Sequence, residues 1–245
     1  MHDTTSENSI LSRKIRMIQI KVFFVLLVPF VSFFQPSISV GESLTINFKN
    51  LKSIPPDNLI IIDTRSKFKY LLGHIPKAIH LGKWQDFTQN VKGVRGLLIK
   101  NPIFIVNKFN SYGIHPKKHI VIYGDPDDPW RTDGRFFWMF ERFGFNKVTI
   151  YEGGLKNWKN SGEKLEFGQG SALAKPLLTV KDIHLNDKVS AEQQWILERL
   201  NSKTLAIIDN RTRDEYLGAM PYGSPRGGHI PNAVHIYWPD FFLPS

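Results

Sequence analysis

The chain has 245 residues, 32 Lys and Arg against 22 Asp and Glu for a formal net charge of +10, and no cysteine. Without a thiol there can be no disulfide, thiolate metal centre, cysteine nucleophile or lipidated cysteine anchor. The basic residues are spread along the chain with no dense tract, so no nucleic-acid partner is expected and the charge reads as a basic, solvated surface.

In chain order, the first feature is an apolar run over residues 22–34 (VFFVLLVPFVSFF), preceded by Arg13, Lys14, Arg16 and Lys21. Its 13 residues suit the core of a secretory signal and fall short of a bilayer span. Ser37 and Ser39 offer a cleavage site, best placed between Ser39 and Val40, and Met17 makes a tidier start than Met1. Residues 1–39 are therefore expected to be an N-terminal extension and signal sequence, with the folded part exported to the periplasm or secreted. The alternative is an uncleaved anchor reaching back through Ile18 and Ile20 with Lys21 snorkelling; this segment would then be the membrane contact.

Residues 59–80 (LIIIDTRSKFKYLLGHIPKAIH) and 205–235 (LAIIDNRTRDEYLGAMPYGSPRGGHIPNAVH) are two versions of one pattern. They share an aliphatic run, Asp-x-Arg, a Tyr-Leu step and Gly-His-Ile-Pro-x-Ala, and both continue into Trp-x-Asp-Phe; the second carries about nine extra residues rich in Gly and Pro. Such a tandem duplication organises the chain. Each copy predicts a buried strand, a polar turn, a short helix and a proline turn. The run at 59–62 does not alternate, as expected of a parallel strand covered on both faces.

Between the copies, 119–123 (HIVIY) predicts a second buried strand, and 136–143 a helix whose aromatics stop at Gly144. Residues 148–151 (VTIY) predict a third strand, followed by a Gly153-Gly154 turn and a helix bearing Trp158 that ends near Gly162. Strands alternating with helices predict an α/β domain with a mainly parallel sheet. Ser190-x-x-Gln193 reads as a capping box opening a helix into the second copy.

The residues of chemical interest fall in two sets. Asp63, Arg65, Gly73, His74 and Pro76 recur as Asp209, Arg211, Gly228, His229 and Pro231. The Asp–Arg pairs can satisfy each other and the turn that follows each strand, so they read as scaffold. The two histidines could be acid–base groups but read as local structure. The second set is the loop after 119–123, with Gly124, Asp125, Asp127, Asp128 and Arg131. Asp125-x-Asp127 after a strand raises a rival reading, a haloacid-dehalogenase-like phosphatase using Mg²⁺. That pattern wants Thr or Val where this chain has Pro129.

The two Asp-x-Arg…Gly-His-Ile-Pro-x-Ala motifs, with the closing Gly153-Gly154-Leu-x-x-x-Trp158-x-x-x-Gly162, resemble the rhodanese, or sulfurtransferase, family in its tandem form. The resemblance implies a first domain over 44–167, a linker over 168–187 and a second, incomplete domain over 188–245. The implied fold class is α/β, with a central mainly parallel sheet flanked by helices. In active members a cysteine follows the central strand, in a loop whose amides and helix N-terminus lower the thiol pKa. Its thiolate takes the sulfane sulfur of thiosulfate or mercaptopyruvate and passes it to an acceptor.

Here the corresponding loop of the first copy has three carboxylates and no thiol, and the second copy stops before its own loop would appear. No residue inherits the nucleophile's role, so catalytic residues, metal and cofactor are all expected to be absent. Some members also place an arginine where this chain has Glu215, which leaves the sulfur donor open. Arg211 and Arg226, expected near the mouth of the second domain, could have steered an anion or simply be solvated. The partner implied is a small anionic sulfur compound. The alternative to a sulfurtransferase homologue is a non-enzymatic rhodanese-like binding or accessory module.

Overall fold

The computed structural model describes residues 43–128, 130–170 and 178–241. The apolar run at 22–34 and the expected cleavage site lie outside them. Among the described residues no helix is long and apolar enough to cross a membrane.

The chain opens with β1 (Thr45–Ile46) and α1 (Phe48–Ser53), then β2 (Leu59–Asp63), α2 (Lys67–Leu71) and β3 (Ile79–His80). A hairpin follows, β4 (Thr88–Val91) and β5 (Val94–Leu98), then α3 (Pro102–Tyr112), β6 (His119–Tyr123), α4 (Thr132–Arg142), β7 (Val148–Tyr151) and α5 (Gly154–Asn160). The five-stranded sheet runs β1-β7-β6-β2-β3, with every pair parallel. The central pair, β2 and β6, is in register from Leu59↔His119 to Asp63↔Tyr123.

Strand geometry sends alternate side chains to opposite faces. Ile60, Ile62, Ile120 and Ile122 enter one core with Phe109, Phe136 and Phe140. Ile61, Val121 and Tyr123 enter another with Ile75, Leu155 and Trp158. Both faces are covered, which is why these strands read as unbroken apolar runs.

The hairpin turns through Lys92 and Gly93, both at positive φ (50° and 82°), as a two-residue turn matched to strand twist requires. Gly154, at φ 53°, is a second position where glycine is needed: a Cβ there would lie 2.5 Å from the Gly124 carbonyl oxygen. The glycine pair thus lets α5 press against the loop that follows β6.

Residues 178–189, partly expected as linker, strap across the first sheet's helices. Leu178 and Ile183 join the same core as Phe109 and Phe140, and Leu178 exchanges two hydrogen bonds of 2.9 Å with the Asn110 side chain. Trp138 Nε1 donates to the Val189 carbonyl (2.7 Å).

Beyond the strap lie α6 (Gln193–Leu197), β8 (Ile208–Asp209), α7 (Arg213–Leu217) and β9 (Val234–His235). Ser190 does not cap α6: it ends a short 3-10 turn, and Glu192 occupies the N-cap with no side-chain cap bond. Because the helix starts at Gln193, that glutamine is its first residue and cannot reach back as a third-position partner. A capping box does form in this half, where the Thr212 and Glu215 side chains bond each other's backbone at the start of α7. β8 and β9 pair with each other in a two-stranded parallel ribbon.

Candidate functional site

Each repeat builds the same clasp at the end of its first strand. In the first copy Asp63 is fully buried and accepts four groups: the Arg65 backbone N–H (2.9 Å), the Arg65 Nε and Nη2, and the Tyr123 hydroxyl (2.6 Å). Arg65 Nη2 also donates to the Gly73 carbonyl (2.7 Å), tying the strand end to the Gly-His-Ile-Pro turn. Burial works to lower the Arg65 pKa, and its bonds and charge attraction to Asp63 outweigh it and raise the value. Burial, then the Asp63 charge, raises the Tyr123 hydroxyl well above its ordinary range, so Tyr123 serves as a donor.

The second copy repeats the Asp–Arg contacts, with no counterpart of the Tyr123 bond among the described residues. Arg211 Nη2 reaches Asp209 at 2.6 Å and the Gly228 carbonyl at 2.7 Å. His74 Nδ1 lies 2.9 Å from the Tyr70 carbonyl with the rings stacked 3.9 Å apart, and His229 lies 2.9 Å from the Tyr216 carbonyl at a stacking distance of 3.7 Å. Pro76 and Pro231 each begin a tight turn closed by Ala78 N–H to Ile75 carbonyl (2.9 Å) and Ala233 N–H to Ile230 carbonyl (3.0 Å).

The repeat also contains partners that the motif reading left out. Tyr70 and Tyr216 donate their hydroxyls to the Ala78 and Ala233 carbonyls (2.9 and 3.0 Å), and His80 and His235 reach the Arg65 and Arg211 carbonyls (2.8 and 2.9 Å). All four occupy shared positions of the two repeats, which is the signal that could have found them. Each of these side chains hydrogen-bonds a backbone carbonyl of its own repeat.

The loop after β6 sits at the carboxyl end of the sheet, where open α/β folds place their ligands. Its carboxylates are engaged from within. Asp125 is ion-paired with Lys69 and accepts the Asp127 backbone N–H (3.2 Å), and the Lys69 hydrogen bond holds its carboxyl below the usual range. Asp128 accepts the Trp130 and Thr132 backbone N–H groups, both at 3.0 Å. Burial works to raise the Asp128 carboxyl, and the bonds from Thr132 and Trp130 outweigh it and lower the value. Arg131, in the left-handed region at φ 43°, pairs with the buried Asp133 at 3.0 Å. Gly124 leads into the loop, where an added Cβ would meet Thr64 Oγ1 at 3.1 Å. The loop therefore spends its polar groups on its own shape and on opening α4.

No group of three or more His, Asp or Glu side chains able to hold a metal ion comes together among the described residues. Within the Asp125-x-Asp127 pattern the Asp127 backbone N–H bonds the Asp125 carboxylate, which is also ion-paired with Lys69.

The model of the rhodanese-like domain matches residues 48–161 and again 192–244. Thiosulfate sulfurtransferase of Pseudomonas aeruginosa is 28% identical over 180 residues, covering 74% of this chain and 63% of that protein. Mouse 3-mercaptopyruvate sulfurtransferase is 28% identical over 185 residues, covering 73% of this chain and 58% of that protein. The chain thus spans about six-tenths of the length of such relatives. Among solved structures, SseA from Escherichia coli, described as a 3-mercaptopyruvate sulfotransferase with the rhodanese fold, superposes with a TM-score of 0.67 at 23% identity, covering 82% of this chain and 77% of that one.

Proposed function

Because this chain belongs to the rhodanese-like domain family, we propose that it is a sulfurtransferase homologue whose residues 44–167 form a non-catalytic copy of the domain. Residues 188–245 are read as the start of a second copy, with 168–187 joining the two. The relatives carry the names thiosulfate and 3-mercaptopyruvate sulfurtransferase, which supports a small anionic sulfur compound as the ligand class of the lineage.

The observation that carries the reading is the loop after β6. The chemistry needs a thiolate there, to attack the sulfane sulfur, release sulfite or pyruvate, and hold the sulfur as a persulfide until an acceptor takes it. This chain instead places Asp125 at the start of the loop, tied to Lys69, and has no cysteine at any of its 245 positions. Asp63, Arg65, Asp209, Arg211 and the two Gly-His-Ile-Pro turns act as scaffold in this reading. Export is inferred from the basic flank and apolar run at 22–34.

The test is direct. Thiosulfate and cyanide added to the 245-residue protein are expected to yield no thiocyanate above background. Thiocyanate formed at a rate proportional to protein would overturn the proposal.

A further inference from the structure

Beside the same loop lies an open cleft of about 850 Å³ whose lining, among the described residues, includes five cations, Arg65, Lys67, Lys83, Arg95 and Arg135, and no Asp or Glu. These residues come from five places: the turn after β2, the start of α2, the segment after β3, the hairpin strand β5, and the second turn of α4. We propose that this cleft is a binding site for a small, multiply charged oxoanion, with Arg135 as its fixed centre and Lys83 and Arg95 as its mobile walls.

Arg135 is the reason to read the cleft as a site rather than as a basic surface. Its guanidinium is half-buried between the rings of Trp84 and Trp138, 4.9 and 4.6 Å from their centroids. One Nη2 hydrogen bond, 2.9 Å to the Gly96 carbonyl, orients it. Burial pulls its pKa below the ordinary arginine value. A guanidinium taken partly out of water is normally matched by a carboxylate. Among the described residues Arg135 forms no ion pair, and neither do Lys83 and Arg95.

The other two cations behave differently. Arg65 is neutralised by Asp63, and Lys67 is turned toward the Gln169 side chain and the Tyr70 ring. Lys67 keeps its charge as well, but with its ammonium engaged by Gln169 and Tyr70 the groups left without a partner around this space are Lys83 and Arg95 beside the half-buried Arg135. A planar guanidinium fixed by stacking presents paired N–H groups that match two oxygens of an oxoanion. The long, exposed Lys83 and Arg95 can close on the remaining oxygens. A dianion would offset more of this charge than chloride or another monoanion. Of the acidic groups on neighbouring segments, Asp125 is ion-paired with Lys69 and Asp133 with Arg131, and Asp86 accepts the Lys83 backbone N–H.

This inference stands on the cleft alone and does not depend on the sulfur lineage; the thiocyanate assay and the binding assay can fail separately. The 245-residue protein is titrated with sodium thiosulfate, sulfate and phosphate by calorimetry, with ionic strength held constant by sodium chloride. Saturable binding is expected, with Arg95→Gln weakening it about fivefold and Arg135→Gln about tenfold or more, as loss of a charge-assisted contact implies. Lys49→Gln, an exposed cation on α1 outside the cleft lining, should leave binding unchanged. Thermal melts of each variant guard against misfolding, and Arg95 is exposed, so its substitution reports on the site even if Arg135→Gln fails to fold. Equal affinity for all three anions supports a general oxoanion site, and preference for thiosulfate supports a sulfur oxoanion as its ligand. No saturable binding above chloride, or binding unchanged in Arg95→Gln, overturns the proposal.

Discussion

Arg142 and Asp187 form a 2.6 Å ion pair whose halves live in different surroundings, the guanidinium 4% exposed and the carboxylate 87% exposed. The pair bolts the strap at 178–189 to the end of α4, beside a hydrogen bond from Asn186 N–H to the Arg142 carbonyl (2.9 Å). Arg142 Nη1 has no partner among the described residues, so Asp187 carries much of the compensation for a buried charge. Asp187→Ala should destabilise the protein by about 1–3 kcal/mol, the cost of leaving a buried polar group short of a partner. Adding Arg142→Met should restore part of that loss, since an apolar side chain of similar length has no charge to strand. Urea denaturation followed by circular dichroism would measure both.

The two clasps share their Asp–Arg bonds, but only Asp63 also accepts a tyrosine hydroxyl and the burial differs, so they should differ in energy. Arg65 is 8% exposed against a fully buried Asp63, whereas Arg211 is 40% exposed. Arg65→Met leaves a carboxylate buried without its cation, a loss of about 3–5 kcal/mol. Arg211→Met should cost about 1 kcal/mol or less, because water reaches that pair. Equal losses in the same denaturation assay would mean that water does not reach the second clasp.

Lys77 sits at φ 65° in the proline turn of the first copy, and Asn232 holds the same position and φ in the second. The left-handed region costs an ordinary residue about 1–2 kcal/mol, and glycine's greater freedom when unfolded returns roughly half of the gain from removing that strain. Lys77→Gly should therefore raise stability by about 0.5–1 kcal/mol. Asn232→Gly should bring no gain, since asparagine tolerates this conformation and its Nδ2 donates to the Leu200 carbonyl (3.1 Å). Melting temperatures of the two variants, compared side by side, check the difference.

β2 lies between β3 and β6, whereas among the described residues its counterpart β8 pairs with β9 alone. Ile208 and Val234 are 53% and 58% exposed, while Ile60 and Ile62 are buried. Hydrogen exchange should therefore be slow across 59–63 and 119–123 and much faster across 205–209 and 234–236, as expected where few apolar contacts cover the backbone. An uncovered strand edge of this kind also invites association. Strong protection throughout 205–236 would contradict this account.

How much was legible in the sequence follows from burial. β2, β6 and β7 could be read directly, because strands covered on both faces must be apolar throughout, and α4 announced itself through aromatics at helical spacing. The hairpin β4–β5 gave no such signal: Gln89, Asn90, Val91, Val94 and Arg95 are all exposed, so no alternation marks it. β1 is two residues long and exists through its parallel pairing with β7. The expected cap at Ser190 failed because the chain spends that residue on ending a different turn.

The repeat and the Asp–Arg core of its clasps belong to the sequence, since those partners lie within about twenty-five residues of one another along the chain and depend on local turn chemistry, whereas Tyr123 reaches Asp63 only through the pairing of β2 with β6. The loop without a thiol is likewise a fact of composition. The strand order and the burial difference between the two clasps were settled by tertiary structure. So was the meeting of Lys83, Arg95 and Arg135 around one cleft. Those three sit in separate segments and look like scattered surface charge when read in line. A charge acts through space and through the water excluded around it, so only the packed chain makes a site of them.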